Sequence, residues 1–394
     1  MRLVDLPEPL PAGSRLLHIG LPKTGTTALQ AALHAARDEL ESRGVHNVSK
    51  SRHPLAAAAY GAGRTDDSDD GRLSRRWTQL AGDFATSRAR QTLLSSEALC
   101  AAAPDRISAL KEQLGEDLYV VVTLRSLTAL LPSLWQQRVK EGAATSFDDW
   151  LHAVLRFEAD GGFRLGGYDL DRIIDDWGSR FGEDRLVFFI GDPTDRLFTL
   201  RAFESLLGVS GVLKLPSMDN AALPFAEVEM LRAFNLIHDG QDEDAARWAE
   251  VVRGVARQMG ERPADGGRAD AAWQRITAPR WLAEAANEHA RRSIAELEGS
   301  DALVVGDPRF LLADPQRQPE EVAVPDQVSV QAAAWFADRV ARAVTAGSRS
   351  PQARTKRGRA AAPPRPADLD TVSGRELARA LARRARDRVR RVRR

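Results

Sequence analysis

The chain has 394 residues, a formal net charge of +1, 43% hydrophobic residues and 28% charged residues. This composition excludes collagen-like, disulfide-framework and fully disordered proteins. The single cysteine, Cys100, excludes an intrachain disulfide. No segment has the apolar length of a signal peptide or of a membrane span, which predicts a soluble, cytoplasmic protein.

Strands and helices alternate along the first half of the chain. Continuous apolar runs predict strands at 15–20, 91–96, 118–124 and 185–191. Helical spacing of apolar residues predicts helices at 29–40, 105–114, 132–141 and 168–181, with a polar loop at 61–76. Alternation of this kind is typical of an α/β fold, in which helices cover both faces of a parallel sheet.

Later segments have a different pattern. Helices are predicted at 224–237, 242–259 and 270–298. The chain therefore divides into a leader (1–14), an α/β core (15–215), a mainly helical part of the same domain (216–344) and a basic tail (345–394).

Charge is distributed unevenly between the tail and the rest of the chain. Residues 345–394 carry a net charge of +12, whereas residues 1–344 carry −11. Residues 345–370 are rich in Pro, Ala, Ser and Arg, which predicts disorder, and the sequence after Ser373 fits a basic amphipathic helix. The tail is interpreted as a solubilising extension, as a peripheral contact with the anionic inner face of a membrane, or as a binder of nucleic-acid phosphates. Its apolar side favours the membrane over nucleic acid.

The loop after the first predicted strand carries the clearest chemical signal. Residues 20–27 read GLPKTGTT, between the end of a strand and the start of a helix. Free backbone N–H groups and the helix dipole favour an anion at such a place. Lys23 adds an ammonium group and Gly25 permits close approach of the backbone. The loop therefore predicts a phosphate site, but not a Walker A loop, since that motif requires the lysine directly after a glycine.

This loop closely resembles the 5′-phosphosulfate loop of sulfotransferases that use 3′-phosphoadenosine 5′-phosphosulfate (PAPS), in the bacterial and glycan-sulfotransferase branch. The resemblance implies a P-loop-like sulfotransferase fold. It also implies that PAPS is bound by Pro22, Lys23, Thr24, Gly25, Thr26 and Thr27.

A second motif agrees with the first. In that family an arginine at a strand end and a serine eight residues later bind the 3′-phosphate, and Arg125 and Ser133 have this spacing. A guanidinium and a hydroxyl at adjacent loop edges are suited to clamp one phosphate. One position departs from the cytosolic small-molecule branch, where a tryptophan stacks on adenine and this chain has Ala28.

The resemblance implies an in-line sulfuryl transfer. Lys23 meets the charge on the leaving phosphate oxygen, and a Glu or His accepts the proton of the acceptor. Glu97 matches the family's position for that base, although a carboxylate there also suits a helix start. His53, in a loop near the mouth of the site, is the rival base. His18 is expected to pack within the sheet.

The acceptor is predicted to be a hydroxyl or amine on a carbohydrate or glycosylated small molecule. Contacts to it are expected from the helix after Ser133, at Trp135, Gln136, Arg138 and Lys140. Trp273 and Trp281 form either an aromatic platform or part of the core, and the core is favoured. No side-chain grouping has metal-ligand spacing, and Cys100 lacks neighbours that would activate a thiol.

Two other functional classes stay open. A P-loop phosphotransferase or NTPase requires a Gly-Lys pair and an acidic residue at a strand end, and the sequence has no Gly-Lys pair and no acid at the end of strand 118–124. A non-catalytic nucleotide-binding module, tethered by its basic tail, requires only the anion site. The sequence predicts no oligomeric state.

Overall fold

A computed structural model describes residues 1–67, 70–155, 168–215, 222–238, 251–256, 258–259 and 274–347. The chain forms two compact units, Met1–Val344 and Thr345–Arg394. The disorder and the amphipathic helix predicted in the tail fall outside the described residues, as does Trp273. Within the described part of the chain, no helix combines the length and apolarity that crossing a bilayer requires.

Seven strands in the described residues form one parallel sheet, ordered β1-β7-β6-β5-β2-β4-β3. The strands are β1 (Arg2–Val4), β2 (Ser14–Gly20), β3 (Val45–Asn47), β4 (Gln91–Ser95), β5 (Tyr119–Leu124), β6 (Leu186–Ile190) and β7 (Leu303–Val305). Each hydrogen-bonded pair is parallel. The α/β class predicted from the sequence is confirmed.

Helices flank this sheet and extend beyond it. They are α1 (Thr26–Ala35), α2 (Arg37–Ser42), α3 (Leu55–Gly61), α4 (Arg72–Thr86), α5 (Pro104–Leu114), α6 (Leu127–Lys140), α7 (Phe147–Val154), α8 (Leu170–Ile173), α9 (Ser179–Phe181), α10 (Phe198–Leu207), α11 (Phe225–His238), α12 (Arg280–Gly299) and α13 (Val330–Gly347). A π-helical turn, Ile174–Gly178, joins α8 to α9. Residues 251–256 and 258–259 are also helical.

Side chains of the central strands alternate between two apolar layers. Val120 and Val122 of β5 pack in the layer that contains Trp177. Val121 packs on the opposite face with Phe189 and Phe203. Both faces are therefore buried, which explains why β5 is a continuous run of β-branched residues.

A third apolar cluster lies among the helices. Trp135 of α6 is fully buried there, and its ring lies 5.2 Å from the ring of Phe147 and 6.0 Å from that of Phe225. The cluster also includes residues of α12 and Phe336 of α13. Because α6 starts directly after β5, this third cluster holds α6 against the carboxyl end of the sheet.

The sheet includes two segments that the sequence analysis left outside the core. Arg2–Val4, in the predicted leader, pairs with Leu303–Val305, in the predicted helical part. Each of these strands has three residues, too short to show an alternating pattern. The sheet therefore extends beyond the predicted core of 15–215.

Several predicted helix boundaries were wrong for identifiable reasons. The helix α6 begins at Leu127, and Pro132 lies inside it, because Leu127, Leu130 and Leu131 continue the buried face toward the N-terminus. The helix predicted from 270 begins at Arg280, directly after Pro279. The first predicted helix is interrupted at Ala36.

The predicted polar loop at 61–76 was also wrong in its second half. The helix α4 starts at Arg72, and its polar first turn concealed the apolar spacing that follows. Trp77, Ala81 and Phe84 are buried on one side of this helix.

Replacement of Gly20 tests a close approach at the end of β2. A Cβ atom at Gly20 would lie 2.8 Å from Cβ of Glu97, and Gly20 has a φ of +88°. Gly13 has a φ of +90° and open space around it, so it serves as a matched control. We expect Gly20→Ala to lower the free energy of unfolding by about 2–4 kcal/mol and Gly13→Ala by about 1 kcal/mol, measured by urea denaturation. Equal losses in the two variants would contradict the contact with Glu97.

Candidate anion-binding and acid–base site

The candidate site lies where the order of the sheet reverses direction. The chain passes from β2 outward to β3, returns to β4 beside β2, and then crosses to β5 on the other side. In parallel α/β sheets, ligands bind at the carboxyl ends of strands at such a switch point. The loop after β2, Glu97 after β4 and Arg125 after β5 all leave the sheet here.

The loop after β2 has an unusual backbone at Lys23. Its φ of 65° is the only positive φ of a non-glycine residue in the described part of the chain. Gly25, with a φ of 101°, forms the N-cap of α1. No side chain in the described ranges caps that helix, so its first-turn N–H groups are available to an anion. Thr26 is buried at this helix start and Thr27 is exposed.

A chain of hydrogen bonds ties the loop to the interior of the sheet. The hydroxyl of Thr24 donates to the carbonyl of Leu21 at 2.5 Å, and it lies 2.6 Å from the hydroxyl of Thr123 on β5. Beyond Thr123, Nε2 of His18 lies at 3.5 Å, and Nδ1 of His18 lies 2.7 Å from the hydroxyl of Ser95.

The direction of this chain follows from its last member. A carbonyl only accepts, so Thr24 donates to Leu21, Thr123 donates to Thr24, and Nε2–H of His18 donates to Thr123. Nδ1 then accepts from Ser95, which requires a neutral imidazole. Burial lowers the pKa of His18 to about 3, consistent with that state. His18 therefore packs within the sheet, as expected, and supports the loop through the hydroxyls of Thr123 and Thr24.

Lys23 is held by a neutral partner at the edge of the site. Its ammonium donates to Oε1 of Gln137 on α6 at 2.9 Å, and Nε2 of Gln137 donates to Glu141 at 2.8 Å. Burial lowers the pKa of Lys23, while the nearby carboxylates of Glu141 and Glu97 raise it. A half-buried ammonium held by an amide can exchange that partner for an incoming anion at little cost.

Arg125 approaches the same loop from β5. Its Nη1 lies 3.4 Å from the carbonyl oxygen of Lys23. Partial burial and then the positive charge of Arg275 lower the pKa of its guanidinium. Ser133 is half-buried in the second turn of α6, one turn before Gln137 on the same face. Lys23 of the loop and Arg125 thus bring two cations to this edge of the sheet.

Glu97 and His53 are brought together by a residue that the sequence analysis did not single out. Nε2 of Gln30 on α1 donates to Oε2 of Glu97 at 2.7 Å. Oε1 of the same amide lies 2.6 Å from Nδ1 of His53. Both candidate bases therefore belong to one hydrogen-bond network beside Lys23.

A pocket lies on the other side of the loop from Glu97. Arg125, Thr24 and Tyr168 contribute its polar edge, and the hydroxyl of Tyr168 donates to the carbonyl of Pro22 at 3.3 Å. The rest of its lining is mainly apolar, with Leu21, Leu124, Leu127, Leu130, Leu170 and Leu311.

The four residues of α6 that were predicted to contact the acceptor do not all face the site. Trp135 is buried in the helical core, and Gln136 bonds to backbone atoms of Leu223, so neither faces the site. Arg138 is exposed. Lys140 is half-buried, and its charge interacts with Lys23.

The structure also bears on the predictions made for Trp281 and Cys100. Trp281 packs against the helical core and stacks on His152, with ring centroids 4.9 Å apart, as the core interpretation predicted. Burial raises the pKa of the Cys100 thiol to about 12, which agrees with the expectation of an inert thiol.

Helical spacing could have revealed the two bridging glutamines. Gln137 lies four residues after Ser133, on the same face of α6, and Gln30 is a polar residue beside the apolar Leu29 and Leu33 of α1. Arg275, by contrast, lies in an irregular segment where no periodicity marks it.

Among solved structures, this chain has a distant similarity to a sulfotransferase. The chain is similar to a sulfotransferase from Alicyclobacillus acidocaldarius, with 16% identical residues and a TM-score of 0.36, over 58% of this chain and 96% of that one. No family model matches the sequence. No curated protein matches it either.

The environment of Lys140 predicts a measurable cost in stability. Its ammonium has no hydrogen-bond or ion-pair partner among the described residues, and burial, followed by repulsion from Lys23, lowers its pKa to about 8. Because this pKa is below the value in the unfolded chain, the cost is complete below pH 8 and declines as the pH rises toward 10.5. We expect Lys140→Met to raise the free energy of unfolding at pH 7 by about 1–3 kcal/mol, with a smaller gain at pH 10.

Arg138→Met is the matched control, since Arg138 is an exposed cation on the same helix. Its effect on the free energy of unfolding should stay within about 0.5 kcal/mol. Urea denaturation at both pH values measures the two variants. A loss of stability in Lys140→Met at pH 7 would contradict the unpaired ammonium.

Proposed function

We propose that this protein is a PAPS-dependent sulfotransferase, which moves a sulfuryl group to a hydroxyl or amine of an acceptor. The acceptor is a carbohydrate or a glycosylated small molecule. The observation that carries the proposal is the 3.4 Å contact between Arg125 and the carbonyl of Lys23. It joins two motifs that are 102 residues apart in the chain. The resemblance to PAPS-dependent sulfotransferases assigns one motif to the 5′-phosphosulfate and the other to the 3′-phosphate.

The residues around the loop suit a donor with two separated anionic groups. The uncapped N-terminus of α1 and the Lys23 ammonium receive the 5′-phosphosulfate. Arg125 and Ser133 receive the 3′-phosphate, with the positive charge of Arg275 close to Arg125. The apolar pocket beside Arg125 and Tyr168 receives the adenine, for which Ala28 provides no stacking partner.

The protein's residues contribute charge and proton transfer to the reaction. PAPS supplies an activated sulfuryl group on a phosphate oxygen. As that bond breaks, the Lys23 ammonium stabilises the negative charge that develops on the phosphate oxygen. The network of Glu97 and His53 accepts the proton that the acceptor loses as its oxygen or nitrogen bonds to sulfur.

Calorimetric titration with adenosine 3′,5′-bisphosphate, the desulfated product of the donor, tests the proposal. We expect micromolar binding that requires the 3′-phosphate, so AMP binds much more weakly. Lys23→Ala and Arg125→Ala should each reduce the affinity by about 10- to 100-fold, since each removes a charge-assisted contact.

Two exposed cations away from the loop provide controls. Arg138→Ala and Lys214→Ala remove the same charge and should leave the affinity within about twofold. Binding of ATP with Mg²⁺ in preference to the bisphosphate would support the phosphotransferase class instead. Absence of nucleotide binding in the unmodified protein would refute the proposal.

A further inference from the structure

Gln30 occupies a position between the two candidate bases. Its side chain is buried, with 4% of its surface exposed, whereas His53 is exposed and Glu97 is half-buried. The two ends of its amide contact different groups, Glu97 at 2.7 Å and His53 at 2.6 Å. A buried amide with both ends engaged has no freedom to rotate without losing a hydrogen bond.

The chemistry of the network determines its direction. A carboxylate can only accept hydrogen bonds, so the NH₂ group of the amide must face Glu97. The amide oxygen therefore faces His53, and it too can only accept. Nδ1 of His53 must then carry a hydrogen, which leaves Nε2 without one in the neutral ring.

The charges around His53 suit this arrangement. Desolvation, followed by the effects of Arg52 and His34, lowers the pKa of His53, and the Glu97 carboxylate opposes this shift. A proton accepted at Nε2 places a positive charge on the ring, and Glu97 stabilises that charge across the Gln30 amide. Glu97 also interacts favourably with Lys23 on its other side.

We propose that Gln30 is a positioning residue that fixes His53 as its Nδ1–H tautomer, so that Nε2 of His53 is the proton acceptor and Glu97 supports its charge. The role of Nε2 in sulfuryl transfer rests on the proposed function. The tautomer itself does not, because it follows from the network alone.

Nitrogen-15 NMR of the full-length protein with labelled histidine tests the tautomer. The long-range proton–nitrogen correlation pattern at pH 8 distinguishes a hydrogen on Nδ1 from one on Nε2, and the His53→Gln variant identifies the His53 signals among the seven histidines. We expect Nδ1–H for His53 in the unmodified protein. In Gln30→Leu we expect a shift to Nε2–H, the form that free histidine favours.

Gln30→Glu separates positioning from packing. A glutamate at this site still accepts from Nδ1–H of His53, so the tautomer should be retained, but it repels Glu97 and should raise the pKa of His53. Gln113→Leu is the matched control, since it removes a glutamine amide that bonds to Trp77, away from the site. It should leave the His53 signals unchanged.

The inference is overturned if His53 carries its hydrogen on Nε2 in the unmodified protein, or if Gln30→Leu leaves the tautomer unchanged while circular dichroism shows a folded chain. Titration with adenosine 3′,5′-bisphosphate is run on the same samples. An Nδ1–H tautomer without nucleotide binding would refute the proposed function and leave the network intact. Nucleotide binding by a protein whose His53 carries its hydrogen on Nε2 would support the proposed function and overturn this inference.

Discussion

The arrangement of the site depends on a simple asymmetry of hydrogen bonding, which is that carbonyl and carboxylate oxygens accept and never donate. The carbonyl of Leu21 sets the direction of the chain that runs through Thr24 and Thr123 to His18. The carboxylate of Glu97 sets the direction of the network through Gln30. In both cases a terminal acceptor determines which nitrogen of a distant imidazole carries the hydrogen. The two histidines consequently have opposite tautomers, one inside the sheet and one at its edge.

Neutral amides connect ionisable groups at two places in the site. Gln137 separates Lys23 from Glu141, and Gln30 separates His53 from Glu97. A direct ion pair at half-buried positions would hold the ammonium firmly. An amide orients the ammonium as well, but releases it more easily to another anion. The same lysine has a positive φ of 65°, and its side chain reaches Gln137 on α6.

Much of the fold could be predicted from the sequence, because the central strands are long apolar runs and their helices have regular spacing. The edge strands β1 and β3, and β7 beside β1, have three residues each, which gives no usable periodicity. For the site, the loop and the pair Arg125 and Ser133 were recognisable as motifs, and the structure brings Arg125 to the loop. Helical spacing indicates the faces on which Gln30 and Gln137 lie, but an amide carries no motif, and only the structure shows which two groups each amide joins. Pro132 concealed the true start of α6, because a proline is common in a first turn and here occupies a buried interior position instead.

The pairing of β1 with β7 has a consequence for how the chain acquires its structure during synthesis. Arg2–Val4 bonds to Leu303–Val305, and the amino group of Met1 bonds to the carbonyl of Ser300. In the described sheet, β1 thus pairs with a strand that is synthesised about 300 residues later. Until β7 is synthesised, one edge of β6 is unpaired, because β7 is the strand that pairs with β6 on that side. The nascent chain therefore exposes an open edge of β6, the kind of surface on which other chains pair, while the residues between β6 and β7 are synthesised.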